Sequence, residues 1–304
     1  MIKVAQTRTV PTSVLPYLGL VIGILSLGFS AIFVRWANAP GPITSFYRMA
    51  VAATILLWPF VRRMRKKRNP PRQGLLLAAL GGLLLGTDMA LWATGVTMSG
   101  ATTPTLLANT APLWVGLGSW ILFREKLPRT FWLGLGLAIL GAAVIVGLNN
   151  LRSEALDRGS LLGLLSAVFY GGYFLVTQRG RETLDSLTYL WPVTASAAVG
   201  LFFLNLLLGN PFTGYSTQTY VNFVAMGLVP QVFGYLAINY ALGYLPASIV
   251  APTMLGQPAI TVLLAWLLLN ETLFPEQILG GAAVMLGVYV VHFSHRRRQP
   301  PLET

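Results

Sequence analysis

Residues 120–127 read WILFREKL and residues 266–273 read WLLLNETL, with Trp, Glu and Leu in the same relative places. Residues 101–146 align with residues 247–292 at a constant offset of 146, without a gap. The matched pairs include Ala101/Ala247, Pro112/Pro258, Trp120/Trp266, Glu125/Glu271, Leu127/Leu273, Gly134/Gly280, Leu140/Leu286 and Gly141/Gly287. The chain therefore carries an internal repeat.

The composition is that of a membrane protein. Of 304 residues, 55% are hydrophobic and only 10% are charged, which is too little charge to cover a soluble surface of this size. The apolar residues come in runs of about 20, the length that crosses a hydrocarbon core. The sequence predicts an all-α integral membrane protein, whose first apolar run is retained as a span and not removed as a signal peptide.

Breaks rich in proline, glycine and polar residues divide the chain into ten predicted transmembrane helices. The predicted spans are 16–36, 42–61, 74–95, 100–123, 130–148, 159–178, 187–208, 219–242, 246–269 and 276–294. The polar connection at 149–158 separates two five-helix repeats, at 16–148 and 159–294.

The basic residues predict the orientation. With the N-terminus in the cytoplasm, 17 Lys and Arg residues lie inside and 4 lie outside. Both termini are then cytoplasmic, and the chain is a multi-pass protein of the inner (plasma) membrane. Because five spans is an odd number, the second repeat is inverted, so Glu125 faces the cytoplasm and Glu271 faces the exterior.

Inverted repeats are typical of secondary transporters. Two units related by an axis in the membrane plane can exchange conformations, which converts an outward-open state into an inward-open one. The alternative is an old duplication that serves folding alone.

Three motifs resemble one family. These are the W-x4-E-x-L endings of spans four and nine, the FYR triplet at 46–48 and the segment ATTPTLLANTAPLW at 101–114. Together with the inverted repeat, they resemble the drug/metabolite transporter (DMT) superfamily, specifically its EamA-type members. The resemblance implies ten helices around a central cavity, with spans five and ten at the periphery. It also implies transport of small organic metabolites, often the export of amino acids.

Two charges lie well inside the predicted spans, away from the span ends, where an unpaired charge is costly. Counted along their helices, Arg48 and Asp88 both lie about 9 Å below the outer edge of the hydrocarbon core. We therefore expect a direct or water-bridged pair between them. The pair is either structural or functional; in the functional case, Asp88 binds a substrate ammonium or a coupling proton and Arg48 faces a substrate carboxylate.

Other polar and aromatic side chains predict a substrate cavity. Gln231, Tyr235 and Asn239 recur every four residues and share one helical face, which must point to protein or water. Further candidates for substrate binding are the aromatic and amide residues Trp92, Tyr170, Tyr173, Asn109 and Gln257. For tyrosine and tryptophan the structural alternative is anchoring at the membrane interface.

The repeat places Pro112 beyond Asn109 and Pro258 beside Gln257. A proline inside a helix frees a carbonyl group, so these sites predict either a locally satisfied kink or a hinge for alternating access. The repeat-end residues Glu125 and Glu271 lie at helix ends, where a structural role is favoured over gating.

The residue types favour transport over catalysis. The chain has no cysteine, 2 histidines and 9 acidic residues, so no cofactor or metal site is expected and an integral membrane enzyme is the weaker alternative. A passive channel would need a charged ring or a filter, and nucleic-acid binding would need a basic stripe. A GxxxxGK[ST] nucleotide loop is absent, which indicates a gradient or exchange as the energy source. An exchanger of phosphorylated or nucleotide-linked metabolites would need several buried cations, whereas the spans offer little beyond Arg48.

Overall fold

The computed structural model describes residues 14–66, 71–99, 102–146, 158–269 and 275–296, and these are helical throughout apart from short connections. The helices are α1 (Leu15–Ala37), α2 (Gly41–Arg65), α3 (Arg72–Ser99), α4 (Thr102–Ala108), α5 (Ala111–Phe123), α6 (Arg129–Val146), α7 (Arg158–Gly180), α8 (Ser186–Leu207), α9 (Thr217–Met226), α10 (Tyr235–Leu242), α11 (Ala247–Thr253), α12 (Gly256–Leu269) and α13 (Pro275–Arg296). A π-helical segment, Gly227–Gly234, joins α9 to α10.

Seven described segments are long and apolar enough to cross a membrane: Leu15–Val34, Gly41–Arg65, Arg72–Gly95, Arg158–Gly180, Ser186–Leu207, Thr217–Leu242 and Ala247–Leu268. Three shorter apolar helices are Ala111–Phe123, Arg129–Val144 and Ile278–Ser294. Large apolar side chains face outward along the bundle: Leu76, Leu133 and Leu207 are 71%, 72% and 85% exposed. A bundle with such a surface is a multi-pass membrane protein. The described segments thus give seven full-length spans, where the sequence predicts ten.

Three predicted spans are not single α-helices, and two of the interruptions lie at the matched proline sites, where the sequence predicts a kink or a hinge. Span four breaks at residues 109–110, just before Pro112, and span nine breaks at residues 254–255, before Pro258. Proline is tolerated in the first turn of a helix, where its missing N–H would be unpaired in any case, so each break lets a new helix start. Span eight contains the π-helical segment around Pro230.

Glycines at equivalent positions of the two halves lie close to the partner backbone where α6 contacts α13. A Cβ atom added to Gly141 would lie 2.7 Å from both Gly280 O and Val284 N. A Cβ atom added to Gly287 would lie 2.6 Å from Gly134 O and 2.5 Å from Ala138 N. The repeat offset of 146 relates the two sets of contacts: Gly141 is equivalent to Gly287, and Gly280 and Val284 are equivalent to Gly134 and Ala138. Such an exchange of partners is the property of a symmetric interface.

In the core, helices of the first half of the chain pack against helices of the second half. Helix α3 packs along α7 and α8, α2 packs on α8, and α1 packs on the π-helical segment. Small residues allow the close approach: a Cβ atom on Gly82 would lie 2.2 Å from Val193 O. The polar side chains of α2, α3, α7 and the π-helical segment are therefore brought into one interior region.

Candidate functional site

The two intramembrane charges form no direct ion pair, although each acts electrostatically on the other. The Nε atom of Arg48 donates to Gln231 Oε1 at 2.8 Å, and Arg48 is only 8% exposed. The Oγ atom of Ser166 donates to Asp88 Oδ1 at 2.6 Å. The expected direct pair is therefore wrong. The reason is that α7 and the π-helical segment lie against α3 and α2 and offer each charge a neutral partner.

Tyrosines surround these charges. The guanidinium of Arg48 lies over the ring of Tyr235, 5.7 Å from its centroid. The rings of Tyr173 and Tyr235 are 5.9 Å apart, and those of Tyr170 and Tyr173 are parallel at 6.2 Å. Tyr173 Oη donates to Asn239 Oδ1 at 3.0 Å. Residues that the sequence selected on four different spans therefore meet in one place.

We call this group the polar cluster: Arg48, Asp88, Ser166, Tyr170, Tyr173, Gln231, Tyr235 and Asn239. Both charges act electrostatically on Tyr235, and Asp88 also acts on Tyr170. Sequence reasoning missed Ser166. It lies four residues before Tyr170 on α7, so the same-face spacing that selected the stripe on span eight could have found it.

A small cavity lies between the two helix breaks. It is lined by Asn109, Pro112, Tyr170, Met254 and Gln257, among others, and its volume of ≈ 30 Å³ is enough for at least one water molecule. The structure thus brings Asn109, Pro112 and Gln257 together around one small cavity. Tyr170 belongs to both the cavity and the polar cluster, so the two form one continuous candidate site.

Two predicted residues lie elsewhere, and a third is outside the part of the chain that the structure describes. Trp92 Nε1 donates to Thr105 Oγ1 at 3.0 Å, which ties α3 to α4 outside the polar cluster. Pro258 does not line the cavity. Glu271 lies outside the described residues.

Glu125 lies at one end of the bundle, the basic end, which carries Arg62, Arg63, Arg124, Arg179 and Arg181. Ser248 Oγ donates to Glu125 Oε1 at 2.7 Å, and Ala247 N donates to Gln178 Oε1 at 2.6 Å. Arg181 Nε donates to the backbone oxygen of Asn239 at 2.6 Å. Arg63 forms an ion pair with Asp185, the N-cap of α8. These contacts close the bundle on this side of the candidate site.

The opposite end is aromatic. We call it the aromatic end: Phe46, Tyr47, Phe202, Phe212, Tyr215, Tyr220 and Phe223. Tyr47 Oη donates to Phe212 O at 2.5 Å, and the rings of Tyr47 and Phe223 stack at 4.5 Å. Within the FYR triplet, Phe46 and Tyr47 thus belong to the aromatic end and Arg48 belongs to the polar cluster.

Comparison with known proteins gives the family. The model of the EamA-like transporter family matches residues 14–147 and again residues 157–293. An uncharacterized transporter of Bacillus subtilis is 22% identical over 291 residues, which cover 93% of this chain and 98% of that protein. A probable terminal-alkyne amino-acid exporter of Streptantibioticus cattleyicolor is 25% identical, with 80% of each chain covered.

Two further likenesses concern architecture. An uncharacterized protein of Methanocaldococcus jannaschii is 32% identical over 142 residues, which are 100% of that protein and 46% of this chain. A solved crystal structure has the same fold, with a TM-score of 0.76 at 16% identity, covering 93% of this chain and 99% of that one. The two family matches together span almost the whole chain, and the resemblance drawn from the repeat-end and FYR motifs is confirmed. This multi-pass membrane protein belongs to the EamA-like transporter family, within the drug/metabolite transporter type.

Proposed function

We propose that this chain is a secondary transporter that exports small neutral or zwitterionic metabolites, such as amino acids, by alternating access. The observation that carries the proposal is the pair of opposite charges inside the bundle, Arg48 and Asp88. Among the described residues, each forms its hydrogen bond with a neutral side chain, and the two charges attract each other without a direct ion pair. A charge kept inside a membrane without an ionic partner is expensive and marks a functional site. A zwitterion supplies both missing partners at once.

The mechanism needs two inverted five-helix units, at 16–148 and 159–294, and ten spans. The gapless offset of 146 supports them, as does the exchange of glycine partners between α6 and α13. The relative that matches only 46% of this chain supports the same division, because its full length corresponds to one half. The seven long segments and the three short apolar helices would together make the ten spans.

In the proposed cycle, the basic end faces the cytoplasm and is closed in this conformation by Glu125 with Ser248 and by Gln178 with Ala247. The excess of basic residues on that side supports the orientation, with both termini cytoplasmic in the inner membrane. Opening would bend the chain at the two helix breaks, where Pro112 and Pro258 begin the second half-helices. Energy would come from exchange or from a gradient, and Asp88 is the group that could carry a coupling proton.

The substrate class follows from the charge balance of the site. Among the side chains whose burial the structure describes, that of Arg48 is the only buried basic one. One cation opposite one carboxylate suits a zwitterion better than a phosphorylated or nucleotide-linked metabolite, whose charges need several cations. That a relative at 25% identity is named a probable amino-acid exporter supports the same class.

The test is a thermal-shift panel on purified protein. The panel holds the common L-amino acids, nucleosides, sugar phosphates and cationic drugs. We expect at least one L-amino acid to raise the melting temperature, because a ligand at 100 times its Kd stabilises the native state by about 2.7 kcal/mol. Stabilisation by sugar phosphates alone, or by no amino acid, would refute the proposed substrate class.

A further inference from the structure

In the side-chain amide of Gln231, the oxygen accepts a hydrogen bond and the nitrogen donates none among the described residues. Gln231 is 0% exposed, and its Oε1 atom accepts from Arg48 Nε at 2.8 Å. A guanidinium only donates hydrogen bonds, so the oxygen must face Arg48 and the Nε2 group must point away from it. This buried Nε2 group has no hydrogen-bond partner among the described residues. Native structures rarely leave such a donor unpaired, and a functional site is one of the accepted reasons.

The same arrangement leaves part of Arg48 free. Its Nε atom is held by Gln231, whereas its terminal nitrogens form no hydrogen bond among the described residues. Tyr235 lies against the face of the guanidinium, which leaves the edge available. A planar guanidinium edge matches the two oxygens of a carboxylate. Gln231 therefore orients Arg48, and the same side chain leaves an unpaired amide donor next to this contact.

We infer that Gln231 Nε2 and the terminal nitrogens of Arg48 together bind the carboxylate of the transported solute. The inference rests on the proposed function and narrows it. The solute is an amino acid with a free carboxylate, whose ammonium group lies toward Asp88. An amine, or an amino-acid amide, has no anion for this subsite. Gln231 is thus a specificity-determining residue as well as the group that positions Arg48.

The location of Gln231 fits this role. It lies in the π-helical segment, directly after Pro230. The wider turn of a π-helix shifts the faces of the residues that follow, and such segments are frequent at functional sites. A Cβ atom on Gly227 would lie 3.3 Å from the backbone oxygen of Arg48, so the segment packs closely against α2. The π-helical backbone and its close packing on α2 therefore place Gln231 within hydrogen-bond distance of Arg48.

The experiment compares acids with their amides. Purified protein is titrated with L-leucine, L-phenylalanine and L-threonine and with the primary amide of each, and Kd is obtained from the thermal shift. We expect the wild type to bind at least one acid about tenfold or more tightly than its amide, the usual scale for hydrogen bonds to a charged group. Gln231→Glu keeps an acceptor for Arg48 but replaces the donor with an anion. We expect it to lose that preference or to reverse it.

Asn222→Asp is the matched control. Asn222 is a buried amide in the same span, 3% exposed, and its Nδ2 also has no partner among the described residues, but it lies outside the polar cluster. Its variant should keep the wild-type ratio of acid to amide affinity. If Gln231→Glu does not fold, Gln231→Met is the second variant, because it keeps the length of the side chain and adds no charge. We expect it to bind the acid about tenfold more weakly than the wild type does.

The outcomes separate the two claims. A wild-type preference for acid over amide that survives in the Gln231 variants would overturn the inference and leave the proposed function standing. Wild-type protein that binds acid and amide equally would overturn the inference alone, whereas wild-type protein stabilised by none of the common L-amino acids would overturn both.

Discussion

Asp88→Asn is expected to reduce export of the amino acid identified by thermal shift by about tenfold or more while leaving the protein folded. The substitution keeps the shape and the contact with Ser166 but removes the charge that would attract the ammonium group. A charge-assisted hydrogen bond is worth about 1.5–3 kcal/mol, which corresponds to roughly a 10- to 100-fold change in affinity. Counterflow in proteoliposomes measures the effect.

Two further results belong to this prediction. The melting temperature of Asp88→Asn should stay within a few degrees of the wild-type value, because the desolvation cost that is removed and the attraction to Arg48 that is lost oppose each other. Glu182→Gln is the control: Glu182 is exposed at the basic end, and the variant should transport normally. Unaltered export by Asp88→Asn would exclude Asp88 from the mechanism.

Gly287→Leu should destabilise the protein strongly. The new Cβ atom would lie 2.6 Å from Gly134 O and 2.5 Å from Ala138 N, and these backbone atoms cannot rotate away. Overpacking typically costs about 1–3 kcal/mol, or a fall in melting temperature of several degrees for a chain of this length. If the halves are related by two-fold symmetry, Gly141→Leu should cost a similar amount, because its Cβ atom meets the equivalent backbone atoms. Differential scanning fluorimetry in detergent provides the measurement.

Gly136→Leu is the matched control for both glycine variants. Gly136 lies on the same helix as Gly141, and a Cβ atom there would have nothing within 4 Å. The same added side chain should therefore leave the melting temperature near that of the wild type. Equal melting temperatures for Gly136→Leu, Gly141→Leu and Gly287→Leu would show that the α6–α13 contact is not close.

Most of the helix positions could be predicted from the sequence. Lipid requires long runs of apolar residues, and the protein interior requires polar residues at helical spacing, so both leave a recognisable pattern. The predicted span 187–208, for example, is observed as Ser186–Leu207. The same-face spacing of Gln231, Tyr235 and Asn239 correctly indicated one face turned to the interior. Apolar length and helical periodicity are local properties, so they can be read without knowing how helices pack.

What the sequence missed depends on contacts between distant segments. Arg48 and Asp88 were expected to pair because depth in the membrane was the only coordinate available. Their actual partners, Gln231 and Ser166, lie 183 and 78 residues away along the chain. The π-helical segment is also not predictable from its composition, because a single proline is compatible with a kink, a break or a π turn.

The central claim is that the two halves are inverted copies, and cysteine labelling tests it most directly. The natural chain has no cysteine, so single cysteines can be placed at Lys126 and at its repeat equivalent, Thr272. In intact cells, a membrane-impermeant maleimide is predicted to label Thr272→Cys and to leave Lys126→Cys unlabelled until the cells are opened. Labelling of both positions from the same side of the membrane would contradict the account.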